Sequence, residues 1–94
     1  KAALENEGKQ LAADLVPDNI RVNAISAGPL DTLSSRVISH YRDMKRIHAE
    51  RSPMGRNITH DEVAKAALFL ASDLSSGITG EILHVDTGYN IMGI

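Results

Sequence analysis

Residues 20–34, IRVNAISAGPLDTLS, constrain the fold of this chain more than any other stretch. Ile20, Val22 and Ala24 alternate with polar or small residues, which predicts a strand over Ile20–Ser26 with those three on one face. The strand runs straight into Ala27-Gly28-Pro29, an elbow of small residues. Glycine reaches dihedrals closed to other residues, and proline fixes its own φ. A polar stretch, Asp31–Ser35, then leads into a helix. In an open α/β sheet, ligands bind just beyond the carboxyl ends of the strands. An elbow of this kind offers backbone groups to a ligand with no side chains in the way. The competing reading of the stretch is an ordinary turn after a strand.

The flanking segments supply the rest of an α/β unit. Lys1 to about Val16 reads as a helix, with Leu4, Gly8, Leu11 and Leu15 on one stripe. Gly8 costs about 1 kcal/mol relative to alanine inside a helix, so close packing against it is the expected compensation. Pro17-Asp18-Asn19 is turn chemistry that stops the helix. No capping residue precedes Lys1, and a helix–turn–strand sequence is the second half of a β–α–β unit. Both features lead to the expectation that Lys1 is an interior residue of a longer protein.

Ser34 to about Arg51 reads as a second helix, with Leu33, Val37, Ile38, Tyr41, Met44, Ile47 and His48 on its apolar face. The Ile38-Tyr41-Met44 stripe is either core or one wall of an apolar pocket. Ser52–Arg56 breaks the pattern as a loop. Thr59-His60-Asp61-Glu62 has the form of a capping box. The helix that it opens runs to about Ser72, with Val63, Ala66, Ala67, Phe69 and Leu70 expected inward. After a loop over 73–80, Glu81–Asp86 reads as a second strand, and Thr87-Gly88 turns it into an apolar tail. No internal repeat or linker is visible.

Composition narrows the function classes. Apolar residues make up 43% and charged residues 23%, which is globular rather than disordered. Ninety-four residues make at most one small domain. No apolar run approaches the roughly 18 residues of a spanning helix, and the opening residues lack the pattern of a signal peptide. The absence of cysteine excludes disulfides, thiol catalysis and thiolate metal sites, and fits a reducing compartment. A net charge of −2 gives no electrostatic ground for nucleic acid. The charge is uneven, however. Six basic residues (Arg36, Arg42, Lys45, Arg46, Arg51, Arg56) and two acids lie between 36 and 56, a local +4 against −6 elsewhere. That run is either a solvated face or a docking patch for an acidic partner.

The residues do not name a reaction by themselves. His40, His48, His60 and His84 lack metal-site spacing. Ser26 lacks the glycine-flanked elbow of a hydrolase nucleophile, and no GxGxxG is present. The pattern alone reaches α/β class, the C-terminal part of a Rossmann-like doubly wound parallel sheet, with a ligand-facing elbow at 27–34.

Resemblance adds a chemistry. Lys1-Ala2-Ala3-Leu4-Glu5 resembles the segment that begins at the lysine of the Tyr-x-x-x-Lys pair of short-chain dehydrogenase/reductases. The run Ser26-Ala27-Gly28-Pro29-Leu30 with Thr32-Leu33, and the closing His84-Val85-Asp86-Thr87-Gly88-Tyr89, are similar to bacterial NADH-dependent enoyl-acyl-carrier-protein reductases. The resemblance covers essentially the whole chain and implies that 1–94 is the C-terminal part of a single NAD-binding domain. It implies hydride transfer from NADH to the β-carbon of a trans-2-enoyl thioester, in a cytoplasmic homotetramer acting on acyl carrier protein, with no nucleic acid or membrane partner. It gives Lys1 the catalytic role, hydrogen-bonded to the nicotinamide ribose. It gives cofactor binding to Lys1, Gly28, Pro29, Leu30, Asp31, Thr32, Leu33 and Ser34, with the Leu30 backbone at the carboxamide and the Thr32 hydroxyl at the pyrophosphate. Ile38, Tyr41 and Met44 match positions lining the acyl pocket, and no metal is implied. Asp31 stands where relatives usually carry a basic residue, so its carboxylate is expected to point away from the pyrophosphate or to be paired. A ketoacyl or other carbonyl reductase of the same fold, and a non-catalytic nucleotide-binding or assembly module, are the alternatives.

Overall fold

A computed structural model of the chain describes residues 2–32, 35 and 40–92. Its elements are α1 (Ala2–Leu15), β1 (Ala24–Ala27), α2 (Tyr41–Arg51), α3 (His60–Ala71) and β2 (Ile82–Val85). Short 3-10 turns occupy Val16–Asp18, Asp73–Ser75 and Tyr89–Met92. β1 and β2 pair in a two-stranded sheet. The Ala24 N–H donates to the Glu81 carbonyl and the Gly28 N–H to the Val85 carbonyl, so both chains advance four residues in the same direction. The pairing is therefore parallel, with helices in the crossover, as a β–α–β unit requires.

Contacts group the chain into two compact units, Lys1–Ser26 with Lys65–Leu83, and Ala27–Ala64 with His84–Ile94. The first contains α1 and the end of α3. Its centre is the Arg21 guanidinium, which donates to the carbonyls of Leu70, Ser72, Ser75 and Ile78 and to the Ser75 hydroxyl, at 2.9–3.2 Å. The last carbonyls of a helix have no intrahelical donor, and a cation at that end also matches the helix dipole. One planar fork thus closes the end of α3 and the turn after it, and Ser75 is almost fully buried.

This arrangement corrects the predicted strand at 20–26, which forms ladder structure only from Ala24. The residues before it are tied to the 78–81 segment largely through side chains. The Val22 N–H donates to the Thr79 hydroxyl, Asn23 donates to the Ile78 carbonyl, and the Glu81 N–H donates back to the Asn23 amide oxygen. The second strand likewise shortens to Ile82–Val85. The α1 stripe is also corrected. Leu4 is 73% exposed, Leu11 is exposed, and nothing lies within 4 Å of a Cβ built on Gly8. The covered line is instead Glu5, Gly8, Ala12 and Leu15, with only Ala12 fully buried. Gly80, at φ +75°, comes close enough that its Cβ would touch the Ala12 methyl at 3.7 Å. The approach of Gly80 to Ala12 marks the covered side of the helix.

The second unit contains α2 and the start of α3. The predicted helix over 34–51 is helical at Ser35 and over Tyr41–Arg51 among the described residues, and is interrupted at His40, which takes a left-handed conformation (φ 68°, ψ 13°). The capping box forms as expected. The Thr59 N–H donates to Glu62 at 2.9 Å and the Glu62 N–H to the Thr59 hydroxyl at 3.2 Å. The expected inward face of α3 is not buried in this chain. Val63, Ala66 and Leu70 are half-buried, Ala67 and Phe69 are exposed, and Leu68 is 70% exposed.

Candidate functional site

The elbow that follows β1 belongs to the second unit, and its geometry is set from behind. The Gly28 N–H is held by the Val85 carbonyl at 3.0 Å. A Cβ on Gly28 would lie 3.1 Å from His48 Cε1 and 3.5 Å from the Asp86 Cα, so only glycine lets the elbow rest on both. Pro29 carries no N–H. The Leu30 carbonyl accepts from the Tyr41 hydroxyl and from the Ser35 hydroxyl. The Asp31 carbonyl lies 3.0 Å from His60 Nε2. The Asp31 carboxylate is paired, with Lys45 Nζ 3.0 Å from both oxygens, which is one of the two arrangements expected of a carboxylate at this place.

Thr32 and Ser35 close the turn reciprocally. The Thr32 N–H donates to Ser35 Oγ at 2.8 Å, and the Ser35 N–H donates to Thr32 Oγ1 at 3.0 Å. A hydroxyl that accepts in this way keeps its own proton to donate. The carbonyls of residues 30 and 31 are therefore committed to protein, while no described residue bonds the Leu30 N–H. Among the described residues the elbow keeps the Leu30 and Asp31 amides and the Thr32 hydroxyl as donors not committed to protein. Such an arrangement can receive an acceptor-rich polar ligand such as an amide oxygen or a phosphate.

Of the residues read from the sequence as site candidates, the structure brings Gly28, Pro29, Leu30, Asp31, Thr32 and Tyr41 into this one corner. Tyr41 is buried and reaches the Leu30 carbonyl, whereas Met44 is 49% exposed. Lys1, Leu33, Ser34 and Ile38 lie outside the described residues. Sequence reasoning missed His48, His60 and Lys45 as supports of the elbow. For Lys45 the signal was available, an unpaired cation on the helix facing an acid in the wrong place. For the two histidines there was none, since only the fold brings them to the elbow.

Two further features frame the corner. The Asp86 carboxylate is buried and accepts from the Gly88 and Asn90 N–H groups, each at 3.1 Å, which satisfies a charge that burial would otherwise penalise. At the start of α3, Arg56 grips Glu62 through both nitrogens at 2.8–2.9 Å. That grip, reinforced by the Thr59 N–H, pulls the Glu62 carboxyl down to about 2, and Glu62 pushes Arg56 up in turn. Among the described residues no group of His, Asp and Glu has the clustering of a metal site, and no helix is long and apolar enough to cross a membrane.

A family model described as enoyl-(acyl carrier protein) reductase matches residues 1–90. Over 93 residues the chain is 56% identical to the NADH enoyl-[acyl-carrier-protein] reductase FabI of Rickettsia typhi, covering 99% of the chain and 36% of that relative. Among solved structures, the Bacillus cereus enoyl-acyl carrier protein reductase with NADP+ and indole naphthyridinone superposes with a TM-score of 0.93 at 50% identity, over 100% of this chain and 37% of that one. The Anaplasma phagocytophilum enoyl-(acyl-carrier-protein) reductase in complex with NAD superposes at 0.90 with 52% identity, over 100% of this chain and 36% of that one. The expected α/β class, part of a Rossmann-like parallel sheet, is borne out.

Proposed function

The chain belongs to the enoyl-(acyl carrier protein) reductase family, and from that premise we propose that it supplies the nicotinamide-facing elbow of a reductase acting on trans-2-enoyl thioesters. The cofactor is a nicotinamide dinucleotide. Solved relatives are described with NADP+ and with NAD, and the Rickettsia typhi relative is named for NADH, which is the form proposed for this chain. NADH, when bound, supplies the hydride that reduces the C2=C3 bond.

The observation that carries this reading is the elbow with its Leu30 and Asp31 carbonyls locked and the Leu30 amide and Thr32 hydroxyl uncommitted among the described residues. The residues present fit the group. Gly28 lets the elbow sit close on His48 and Asp86 behind it, the Leu30 N–H is assigned to a carboxamide oxygen, and the Thr32 hydroxyl keeps a proton for a phosphate oxygen. Tyr41, Ser35 and His60 prevent the corner from turning its carbonyls toward that phosphate, where they would repel it. Leu33 and Ser34 are assigned to the cofactor side as well. The Lys1 ammonium is assigned to the ribose hydroxyls, where it favours negative charge developing nearby. Ile38, Tyr41 and Met44 are assigned to the acyl side.

The partner is acyl carrier protein bearing the substrate. Arg42 and Arg51 are exposed on α2, and Arg46 pairs with Asp43 at 3.6 Å in a surface pair that holds it weakly. Reversing Arg42 and Arg46 is expected to raise KM for a carrier-bound substrate more than for a coenzyme A substrate, and equal effects would end the docking assignment. The reaction itself is tested with the natural full-length protein. NADH oxidation by crotonyl thioester, with acetoacetyl thioester left untouched, is the expected result. The reverse preference would make it a carbonyl reductase.

A further inference from the structure

The elbow is held by hydrogen bonds at Gly28, Leu30 and Asp31, but what it rests on is an imidazole. His48 lies on α2, and its ring stacks on Tyr89 with centroids 3.9 Å apart and planes 15° from parallel. The edge of that ring meets Gly28, at the 3.1 Å and 3.4 Å that a Cβ would have from Cε1 and Nε2. His48 Nδ1 is buried and has no hydrogen-bond partner among the described residues. The ring is therefore placed by contact rather than by a hydrogen bond at that atom, and the contact comes from Tyr89. Tyr89 is placed in its turn. Its N–H donates to the Asp86 carbonyl at 3.1 Å, in the turn whose amides Asp86 gathers on its carboxylate. The same turn is fastened to the 52–55 loop, with the Met54 N–H on the Thr87 carbonyl and Pro53 against Gly88.

We infer that the His48–Tyr89 stack is a positioning device: it fixes the height of the Gly28 elbow and so sets how closely the nicotinamide end of the cofactor can approach the main chain. This inference rests on the functional reading above, and it names residues that touch neither ring nor substrate. His48 is small enough in thickness to sit under a glycine and flat enough to stack, which an aliphatic side chain is not. A Cβ at Gly28 pushes the elbow off the ring by a few tenths of an ångström. Removal of the ring lets the elbow sink toward the space it leaves. Both changes misplace the Leu30 amide, and misplacement of a binding backbone by a fraction of an ångström weakens the ligand it was set for.

The test uses the natural full-length protein. Gly28→Ala is expected to raise KM for NADH at least fivefold, with KM for crotonyl thioester changed less than twofold. His48→Ala and Tyr89→Ala each raise it about threefold. His48→Phe, which keeps the flat ring, returns it to within about twofold. The decisive variant is Gly28→Ala with His48→Ala, because the space vacated by the imidazole receives the new methyl, so the pair binds NADH better than Gly28→Ala alone. A pair that is additive or worse, or a Phe variant as poor as the Ala variant, overturns the inference. A second readout needs no cofactor. Amide exchange at Gly28 is expected to accelerate about tenfold in His48→Ala and Tyr89→Ala and to stay near native in His48→Phe, with the Gly80 amide unchanged as control. Unchanged Gly28 exchange overturns the inference outright. If the unsubstituted protein oxidises no NADH with either thioester, the functional reading has failed, and the exchange pattern alone then decides whether the stack positions the elbow.

Discussion

The two flanks of β1 are built on opposite plans. Before the strand, residues 20–23 commit nearly everything they have to protein. Arg21 closes four carbonyls and a hydroxyl, Asn23 both donates and accepts, and Val22 uses its N–H and its carbonyl. After the strand, Leu30 and Asp31 commit their carbonyls, while the Leu30 amide and the Thr32 hydroxyl donate to no described residue. The first flank is closed and so contributes stability. The second is braced from behind, by Tyr41, His48 and His60, and faces outward with an amide and a hydroxyl. The proposed chemistry falls to the side that is held rigid without being saturated. The same strand links both, so a defect in either flank reaches the sheet, but only one of them should reach the cofactor.

The largest expected effect is on the closed flank. Arg21→Ala removes the cation that ties four carbonyls together, each of which keeps at least one other donor, and should cost about 2–3 kcal/mol of stability in urea unfolding of the full-length protein. Arg21→Lys should recover less than half of that, since an ammonium cannot reproduce a planar fork. Neither should change KM for NADH in the folded fraction. A cofactor defect from Arg21→Lys would break the contrast between the flanks. Next comes the braced flank. Tyr41→Phe removes a single hydrogen bond to the Leu30 carbonyl and should cost about 1 kcal/mol of stability, while raising KM for NADH about fivefold. A stability loss with no cofactor effect would mean that the elbow is as closed as its counterpart.

How much of this was legible follows the range of the interactions. The Thr59–Glu62 box was readable because both partners lie within one turn, and so were the existence of each helix and the parallel pair of strands. The strand start at Ala24 was not readable, because Ile20–Asn23 have strand composition but are claimed by Thr79, Ile78 and Ser75 from far along the chain. The phase of α1 was misread for a related reason. Leu4 and Leu11 dominate any hydrophobic pattern, whereas the approach of Gly80 to Ala12 marks the side that is covered. The break at His40 was invisible, since a left-handed histidine has no sequence signature comparable to glycine's. At the site, the Ala-Gly-Pro corner was legible from residue size alone. Its supports were not, because stacking between α2 and the C-terminal turn is a property of the fold.

A smaller effect sharpens the outward flank itself. Asp31 puts a negative charge beside Thr32, the residue assigned to a pyrophosphate, and Lys45 partly offsets it. Asp31→Asn should therefore lower KM for NADH about twofold at low salt, and the gain should vanish near 0.5 M salt, where roughly 4 Å screening removes it. Stability should change by less than about 1 kcal/mol, as for other exposed pairs. A rise in KM instead would show that the ion pair braces the elbow, as Tyr41 does, rather than merely neutralising it.

The smallest effect concerns pH, and it enters the braced flank through α3. His60, which holds the Asp31 carbonyl, is the first residue of that helix, and the helix start is fixed by Glu62 between Arg56 and Thr59. Because the folded-state pKa of Glu62 is depressed from 4.5 to about 2, its contribution is complete above about pH 4.5 and is lost as pH falls toward 2. Wild-type protein should lose urea midpoint between about pH 5 and pH 3 more steeply than Glu62→Gln, which has already forfeited that contribution at neutral pH. Amide exchange over 59–63 should accelerate in the same window, while the amides bonded around Arg21 keep their rates, because no carboxylate takes part there. If the Gly80 amide loosened in step with the helix start, the two flanks would be one cooperative structure and the contrast between them would hold only for ligand contact.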